Sequence, residues 1–546
     1  MVSLPPRQIL KVHPIDNVVV ALTDLKANQS YFLDGESYMP TEDVRAKHKF
    51  TTEALGIGDS IIMYGVLVGK ATVAIGKGAA ITTFNVAHAA SHFTGKTKEV
   101  AWVAPDVSKY KESTFLGYHR SDGRVGTANY WLVVPTVFCE NRNLEIMRGA
   151  INQALGYTKA NPYQSFANKV AMDLKAGARL DTISFEVEAQ TLFPNVDGVQ
   201  FLMHQGGCGG TRQDSAILAR LLADYIDHPN VAGATMMSLG CEHLHIDEMK
   251  ALLLEMNPSF DKPVLYFGQQ DMGNEEALLK AAIAGTIEGI AEANKVGRSP
   301  APLAKLVLGV KCGGSDGFSG ISANPALGYT SDMLVALGGQ VLLAEFPELN
   351  GVEQELADRC TDAAKAAKFV TLMQTYGAKA EAMGSGFHMN PSPGNIKDGL
   401  ITDAIKSAGA AKKGGTSPIV DVLDYTERAT KPGLNLVCTP GNDVEATTGK
   451  VAAGANLIVF TTGLGTPTGN PICPVIKAST NHLLAERMAG IIDFDCGAIV
   501  TGERTIEQVG TELLDYCIAV ASGQAITKAT ALGQADFIPW KRGISL

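Results

Sequence analysis

No apolar run in the 546-residue chain approaches the ~18 residues that a membrane-spanning helix requires. Its first ten residues, MVSLPPRQIL, lack the apolar core and small-residue cleavage site of a secretory leader. Strongly basic stretches are missing, and the formal net charge is −10, so nucleic acid is a poor partner. The nine cysteines form no CxxC pair and are odd in number, which argues against a disulfide framework and a zinc ribbon. These absences predict a cytoplasmic protein with no membrane or nucleic-acid partner. Apolar residues at 46% and charged residues at 19% are globular proportions, which excludes wholesale disorder.

Glycine is abundant, at 57 residues, and clusters in loops. The length predicts several domains, at roughly 150 residues each. Residues 1–95 read as a small β-rich unit, with short apolar stretches such as Val18–Leu22 and Ser60–Tyr64 bounded by Asp, Asn and Gly. Residues 96–113 are charged, carry Pro105, and read as a linker. Beyond them strand and helix patterns alternate, predicting α/β layers with largely parallel sheets in a middle domain (114–300) and a C-terminal domain (301–546). Strand candidates include Tyr130–Val137, Val231–Leu239, Pro263–Phe267, Leu303–Val310, Val341–Glu345 and Asn456–Phe460. Glu275–Asn294 reads as a helix by length and composition. A second helix is expected over Thr330–Leu337, capped at Thr330 or Ser331 and stopped by Gly338-Gly339.

In open α/β sheets ligands sit beyond the carboxyl ends of the strands. Three such ends run into glycine-flanked cysteines: His204-Gln205-Gly206-Gly207-Cys208, Gly240-Cys241-Glu242 and Lys311-Cys312-Gly313-Gly314-Ser315-Asp316. Glycine admits close approach of a ligand to the backbone, and thiolates suit iron or zinc. The competing reading is that cysteine is an ordinary buried residue at strand ends. A fourth strand end carries Glu345-Phe346-Pro347-Glu348. Loops at Asn390–Asn395, Thr439–Asp443 and Thr461–Pro471 offer hydroxyls, amides and backbone N–H groups, the chemistry of polyhydroxylated or anionic ligands and equally of ordinary turns. No convincing nucleotide-binding motif is present. Cys139, Cys360, Cys438, Cys473, Cys496 and Cys517 read as structural.

Taken in order, these motifs resemble the altronate/galactarate dehydratase family of sugar-acid hydro-lyases. The likeness spans Glu42–Phe50, Asp122–Thr127 with Asn129, the Cys208, Cys241 and Cys312 loops, Ala323-Asn324-Pro325, and the three Gly/Pro loops. It implies an N-terminal β-clip (SAF-like) domain and loss of water from a sugar acid to give a 2-keto-3-deoxy acid. The Tyr118–Gly123 stretch resembles the family's altronate-dehydrating members, which implies conversion of D-altronate to 2-dehydro-3-deoxy-D-gluconate in hexuronate catabolism. Galactarate or another aldonic or aldaric acid is the alternative substrate. The family's iron requirement implies Fe2+, with a [4Fe–4S] cluster or another divalent metal as alternatives. One departure stands out: a His-Thr-His-Asn stretch of altronate dehydratases reads Thr82-Thr83-Phe84-Asn85 here, with His88 and His92 a few residues on.

The reaction removes a weakly acidic C2 proton beside a carboxylate and expels the C3 hydroxyl, so it needs a cationic or metal clamp, a base and an acid. On this reading Cys208, Cys241 and Cys312 are the metal ligands. His48, Lys49 and Glu345 are catalytic. Asp122, Arg124, Asn129, His204, Ser315, Asp316 and Asn324 hold substrate. A homo-oligomer is plausible for such an enzyme. Two other readings remain at this stage: an inactive sugar-acid binder, and an acyl-transfer enzyme using Cys208 as nucleophile.

Overall fold

A computed structural model describes residues 7–545 apart from 92, 94, 159–162, 164, 165, 168, 169 and 172–190. His92 therefore lies outside the described residues. The N-terminal region folds into small antiparallel sheets. Ile9–Leu10, Val18–Ala21 and Lys49–Thr51 form one, and Tyr31–Leu33 pairs with Glu36–Tyr38. Ser60–Met63, Val66–Ala71 and Val86–Ala87 form another. Asp34-Gly35 and Tyr64-Gly65 close two of the hairpins with both turn residues at positive φ, the geometry that matches strand twist. The Asp16 carboxylate accepts hydrogen bonds from the Tyr64 and Gly65 N–H groups, which pins the second turn.

Two parallel sheets follow, as the alternating pattern predicts. The smaller has the order Gly198–Phe201, Tyr130–Pro135, Val231–Ser238, Val264–Gly268. Its central strand is apolar on both faces because helices cover both. Trp131 and Val133 pack with the helices Asn141–Leu155 and Glu275–Ala293. Leu132 and Val134 point the other way, into a core with Arg212–Asp227 and Ile246–Met256. That second core continues through Val451 of the helix Asp443–Ala452 and Ile458 and Phe460 of the larger sheet, and joins the two α/β regions.

The larger sheet has seven parallel strands: Ile419–Leu423, Gly433–Val437, Gln340–Leu343, Val307–Cys312, Leu457–Thr462, Val475–Ser479 and Phe494–Asp495. From Val307–Cys312 the chain fills one side, laying the edge strand Ile419–Leu423 before Gly433–Val437 inside it, and then crosses to build the other. The order thus reverses between Val307–Cys312 and Leu457–Thr462, the place where ligands bind in open α/β sheets.

A third, antiparallel sheet joins the regions. Thr114–His119 pairs with Val125–Gly126 on one edge and with Ser299–Pro302 on the other, Thr114 opposite Pro302. The stretch read as a linker lies against the C-terminal region, where Thr97 binds the Asp358 carboxylate through backbone and hydroxyl.

The helix expected at Thr330–Leu337 is longer, Ala323–Ala336. Pro325 sits in its first turn, where the missing N–H costs nothing. Thr330 and Ser331 do not cap it; their hydroxyls donate to Ala326 O and Leu327 O one turn back.

Trp131 sets a packing test. A Cβ on Gly289 would overlap its ring. Helix propensity alone would favour alanine by up to ~1 kcal/mol, but overpacking costs roughly 1–3 kcal/mol. Gly289→Ala is therefore expected to destabilise in urea unfolding. Gly149→Ala, on an exposed helical face with nothing within 4 Å of the added carbon, is expected to stabilise.

Candidate functional site

The carboxyl end of the central strand Val307–Cys312 delivers two side chains to one buried place. Lys311 and Cys312 are consecutive and both fully buried. The neighbouring strand Gln340–Leu343 ends two residues before Glu345, whose backbone sits at φ +70. That conformation is costly for a residue with a Cβ and persists only where surroundings enforce it. Here the Glu345 N–H donates to Thr439 Oγ1 at 3.0 Å, and Glu345 O accepts from the Glu348 N–H at 2.7 Å.

Three lysines converge on the Glu345 carboxylate. Lys311 Nζ contacts Oε1, while Lys413 Nζ and Lys450 Nζ lie 3.1 and 3.6 Å from Oε2. All four side chains are fully buried. Burial pushes the Glu345 carboxyl up, but the three cations outweigh it and hold it well below the usual carboxylate range. Burial lowers Lys450 to about 8, with Glu345 opposing. Lys311 pairs also with Asp443 at 2.9 Å. Asp443 and Lys450 are seven residues apart on the helix Asp443–Ala452, so both face the sheet.

Cys312 Sγ accepts from Lys413 Nζ at 3.2 Å and lies 3.7 Å from Glu348 Oε2. Burial pushes its thiol up, with Lys413 opposing. Cys312, Glu345 and Glu348 bring ligand atoms within 4.8 Å of one another, the group among the described residues whose geometry could hold a metal ion. One thiol and two carboxylates suit a borderline divalent cation. Glu345 Oε2 is ion-paired with Lys413 and Lys450 but accepts no aligned hydrogen bond.

Above this group opens a cavity of about 570 Å3. Its wall carries Ser315, Glu348, Asn390, Asn395, Lys406 and Asp443. Three loops singled out in the sequence thus meet here: Lys311–Gly317, Asn390–Asn395 and Thr439–Asp443. Asn395 Nδ2 donates to Ser315 O at 2.8 Å, tying two of them. Lys406 Nζ donates to Glu348 Oε1 at 3.0 Å and Asn390 Oδ1 at 2.5 Å. Gly313 is obligatory, because a Cβ would overlap the Asp443 carboxylate.

The other expected site residues lie around this cavity or apart from it. Asp316 is buried beneath the cavity floor, paired with Lys47 at 2.9 Å and accepting from Thr480 Oγ1 at 3.0 Å. Asn324 bridges Gly409 O and Thr461 Oγ1. His48 Nε2 is 3.1 Å from Lys397 O, and Lys49 Nζ donates to Lys47 O and Gly399 O. Both clasp the segment following Asn395 and do not line the cavity. Asp122 and Arg124 form an ion pair that also engages Asp227. Asn129 is buried, donating to Asn195 O and accepting from Arg120. His204 is buried, with Nε2 beside Pro135 O and Nδ1 accepting from the Gly206 N–H. These four side chains brace the middle region. Cys208 and Cys241 are exposed at the end of the four-stranded sheet, so the structure does not bring them together with Cys312. The Thr82–Asn85 stretch is a surface turn closed by Asn85 Oδ1 on the Thr82 N–H, and Phe84 is 91% exposed.

Lys311, Lys406, Lys413 and Lys450 have no assigned role in the sequence reading. The signals available were an i, i+7 spacing from Asp443 to Lys450 and a lysine in the middle of an apolar strand.

Two charge tests follow. Glu345→Gln leaves three buried lysines around an uncharged amide, and removing one member of a buried ion cluster costs about 3–5 kcal/mol; calorimetry should show that loss. Burial lowers Lys49 from 10.5 to about 7, with Asp316 opposing. Between those values the unfolded chain binds the extra proton, so this residue's contribution to stability rises with pH from about 7 to about 10.5. The stability of the wild type relative to Lys49→Met should rise across that window; a flat difference would show that Lys49 stays charged.

Family comparisons match the chain in three consecutive blocks. Residues 7–89 match the altronate/galactarate dehydratase SAF domain. Residues 117–294 match the D-galactarate dehydratase/altronate hydrolase second domain, and 303–545 the D-galactarate/altronate dehydratase C-terminal domain. The chain is 34% identical to altronate dehydratase of Bacillus subtilis (strain 168), over 95% of this chain and 96% of that protein. It is 32% identical to altronate dehydratase of Escherichia coli (strain K12), over 99% and 100% respectively. Identity to the L-threo-forming galactarate dehydratase of the same strain is 31%, over 96% and 94%. The chain, SAF domain included, belongs to the altronate/galactarate dehydratase family of hydro-lyases.

Proposed function

We propose that the cavity above Cys312, Glu345 and Glu348 dehydrates D-altronate to 2-dehydro-3-deoxy-D-gluconate. The observation that carries this reading is the cavity wall itself. It joins a lysine, two carboxylates and several amide and hydroxyl groups directly over a buried thiol–carboxylate cluster. Two full-length altronate-dehydrating relatives support that substrate over galactarate, the alternative being another aldonic or aldaric acid.

In this reading Lys406 clamps the substrate carboxylate. Burial lowers its pKa, but Glu348 outweighs that and raises it, so it keeps its proton. Ser315, Asn390 and Asn395 bind hydroxyls. Asp443, on the wall and backed by Lys311, takes the C2 proton. Cys312, Glu345 and Glu348 would hold Fe2+, which supplies Lewis acidity toward the carboxylate and the departing hydroxyl. The lysine ring around Glu345 lends positive potential as charge develops on the enediolate. His48 and Lys49 act through the backbone at Lys397 and Gly399, as positioning residues for the Asn395 loop. Asp316 and Asn324 set the loop after Cys312, and Asp122, Arg124, Asn129 and His204 set the middle region. We place the enzyme in the cytoplasm, in hexuronate catabolism, as a homo-oligomer. No helix among the described residues is long and apolar enough to cross a membrane.

The test is anaerobic turnover with and without ferrous iron, against altronate, galactarate and other hexonates, reading 2-keto-3-deoxy acid. Asp443→Asn should lower kcat by about 10²–10⁴-fold, and Lys406→Met should mainly raise KM. Turnover confined to a different acid would reject altronate; full activity of Asp443→Asn would reject its role as base.

A further inference from the structure

The chain's nine cysteines divide sharply. Six are buried: Cys312, Cys360, Cys438, Cys473, Cys496 and Cys517. Three are exposed: Cys139, Cys208 and Cys241. Exposure is unusual for cysteine, and these three are not scattered. Each follows the carboxyl end of a different strand of the four-stranded sheet: Tyr130–Pro135, Gly198–Phe201 and Val231–Ser238. Those strands are adjacent, with Tyr130–Pro135 in the middle. Pro135 is in register with Met237, which puts Cys139 and Cys241 each four residues past a matched pair.

Hydrogen bonds stitch the three loops together. Gly206 O accepts from the Phe138 N–H at 3.0 Å, beside Cys139. Gly207 O accepts from the His243 N–H at 3.2 Å, two residues past Cys241. Gly207 is at φ +98, and a Cβ there would overlap Thr136 O and Val137. The backbone just before Cys208 is thus wedged between the other two loops.

Two of the cysteines are each followed in sequence by a buried carboxylate. Glu140, next to Cys139, is 1% exposed, accepts from Asn143 through Oε2, and has no partner on Oε1. Glu242, next to Cys241, is 2% exposed and accepts from Thr136, Ser238 and the Gly240 N–H. Among the described residues neither has a lysine, arginine or histidine within 4.0 Å. Buried charge is otherwise paired or bound to metal, and here three potential thiolates are added to it. Such a place calls for a cation. These thiols do not form a three-ligand group within 4.8 Å, as Cys312, Glu345 and Glu348 do.

We propose that Cys139, Cys208 and Cys241 bind a [4Fe–4S] cluster through three thiolates, leaving one iron with an open position. Each thiol loses its proton to solvent on ligation, and no change of oxidation state is required of the protein. Beside Cys208 a cavity of about 370 Å3, lined in part by Met203, Leu218, Phe537 and Trp540, gives the cluster an apolar flank. This site is separate from the Cys312 cluster and does not rest on the role assigned to it.

The experiment uses the full chain, purified anaerobically and reconstituted with ferrous and ferric iron in equal amounts plus sulfide, so that two Fe2+, two Fe3+ and four S2− make up the [4Fe–4S]2+ core with no outside oxidant. The wild type should carry about four acid-labile sulfides per chain and a broad visible thiolate-to-iron absorption. Cys139→Ala, Cys208→Ala and Cys241→Ala should each lose at least half of both signals with unchanged circular dichroism. Cys312→Ala should keep the sulfide. Thiol alkylation provides a second readout without mutation: the three exposed cysteines should label in the apoprotein and be protected after reconstitution. The proposal is overturned by folded wild type that takes up no sulfide, by sulfide retained in all three variants, or by zinc bound in place of a cluster. Failure of altronate turnover would leave these readouts unmoved, and loss of sulfide would leave the Cys312 iron to be measured on its own.

Discussion

The Glu345 carboxylate is the point on which the C-terminal region depends. Three lysines reach it from a strand, a short helical turn and the helix Asp443–Ala452. None of the four groups has water to screen it, so each is tolerable only while the others are in place. The result is a fixed field at the carboxyl edge of the sheet, assembled before any ligand arrives. It also explains why a residue with a side chain occupies a left-handed backbone position there. The turn that strains the backbone is the one that aims the carboxylate back toward Lys311.

Around that field the N-terminal domain is built in as a structural member of the site. Its core is continuous with that of the C-terminal region: Ile61, Met63 and Val68 pack in the same cluster as Phe318, Leu400 and Ile405. Tyr64, on the tight turn, reaches between Gly320 and Gly409, where a Cβ on either would crowd its hydroxyl. Lys47 crosses the boundary to Asp316 while Lys49 and His48 hold the neighbouring backbone. Polar contacts thus fix the angle of docking, and apolar burial supplies its strength.

Much of this architecture was legible in the sequence, for identifiable reasons. Short β-branched runs with Asp-Gly punctuation marked the small sheets, and strand–helix alternation marked the parallel ones. The rule that ligands sit past strand ends led to Cys312 and Glu345, and the Asn390–Asn395 and Thr439–Asp443 loops meet at the cavity beside them. The same rule misled in grouping Cys208 and Cys241 with Cys312, because equivalent places on strands say nothing about which sheet each strand joins. Cys139, read as structural, is exposed because the chain turns at once into a short 3-10 helix. Buried lysines were invisible for another reason: their partners lie tens to over a hundred residues away, as Lys311 from Glu345 and Asp443, and no local pattern marks such a pairing. The retained His48-Lys49 pair was legible as a feature but not as a clasp, since its partners are backbone carbonyls.

The antiparallel pairing of Thr114–His119 with Ser299–Pro302 has a consequence for how such chains can change over time. The whole middle region enters and leaves through two hydrogen-bonded strands, about 4.8 Å apart. Everything between them is an insertion whose two ends lie side by side, although one of its faces shares a core with the larger sheet and would have to be kept in any exchange. A lineage could therefore replace or remodel that module, with its own sheet and surface thiols, while the charged edge of the larger sheet stays as it is.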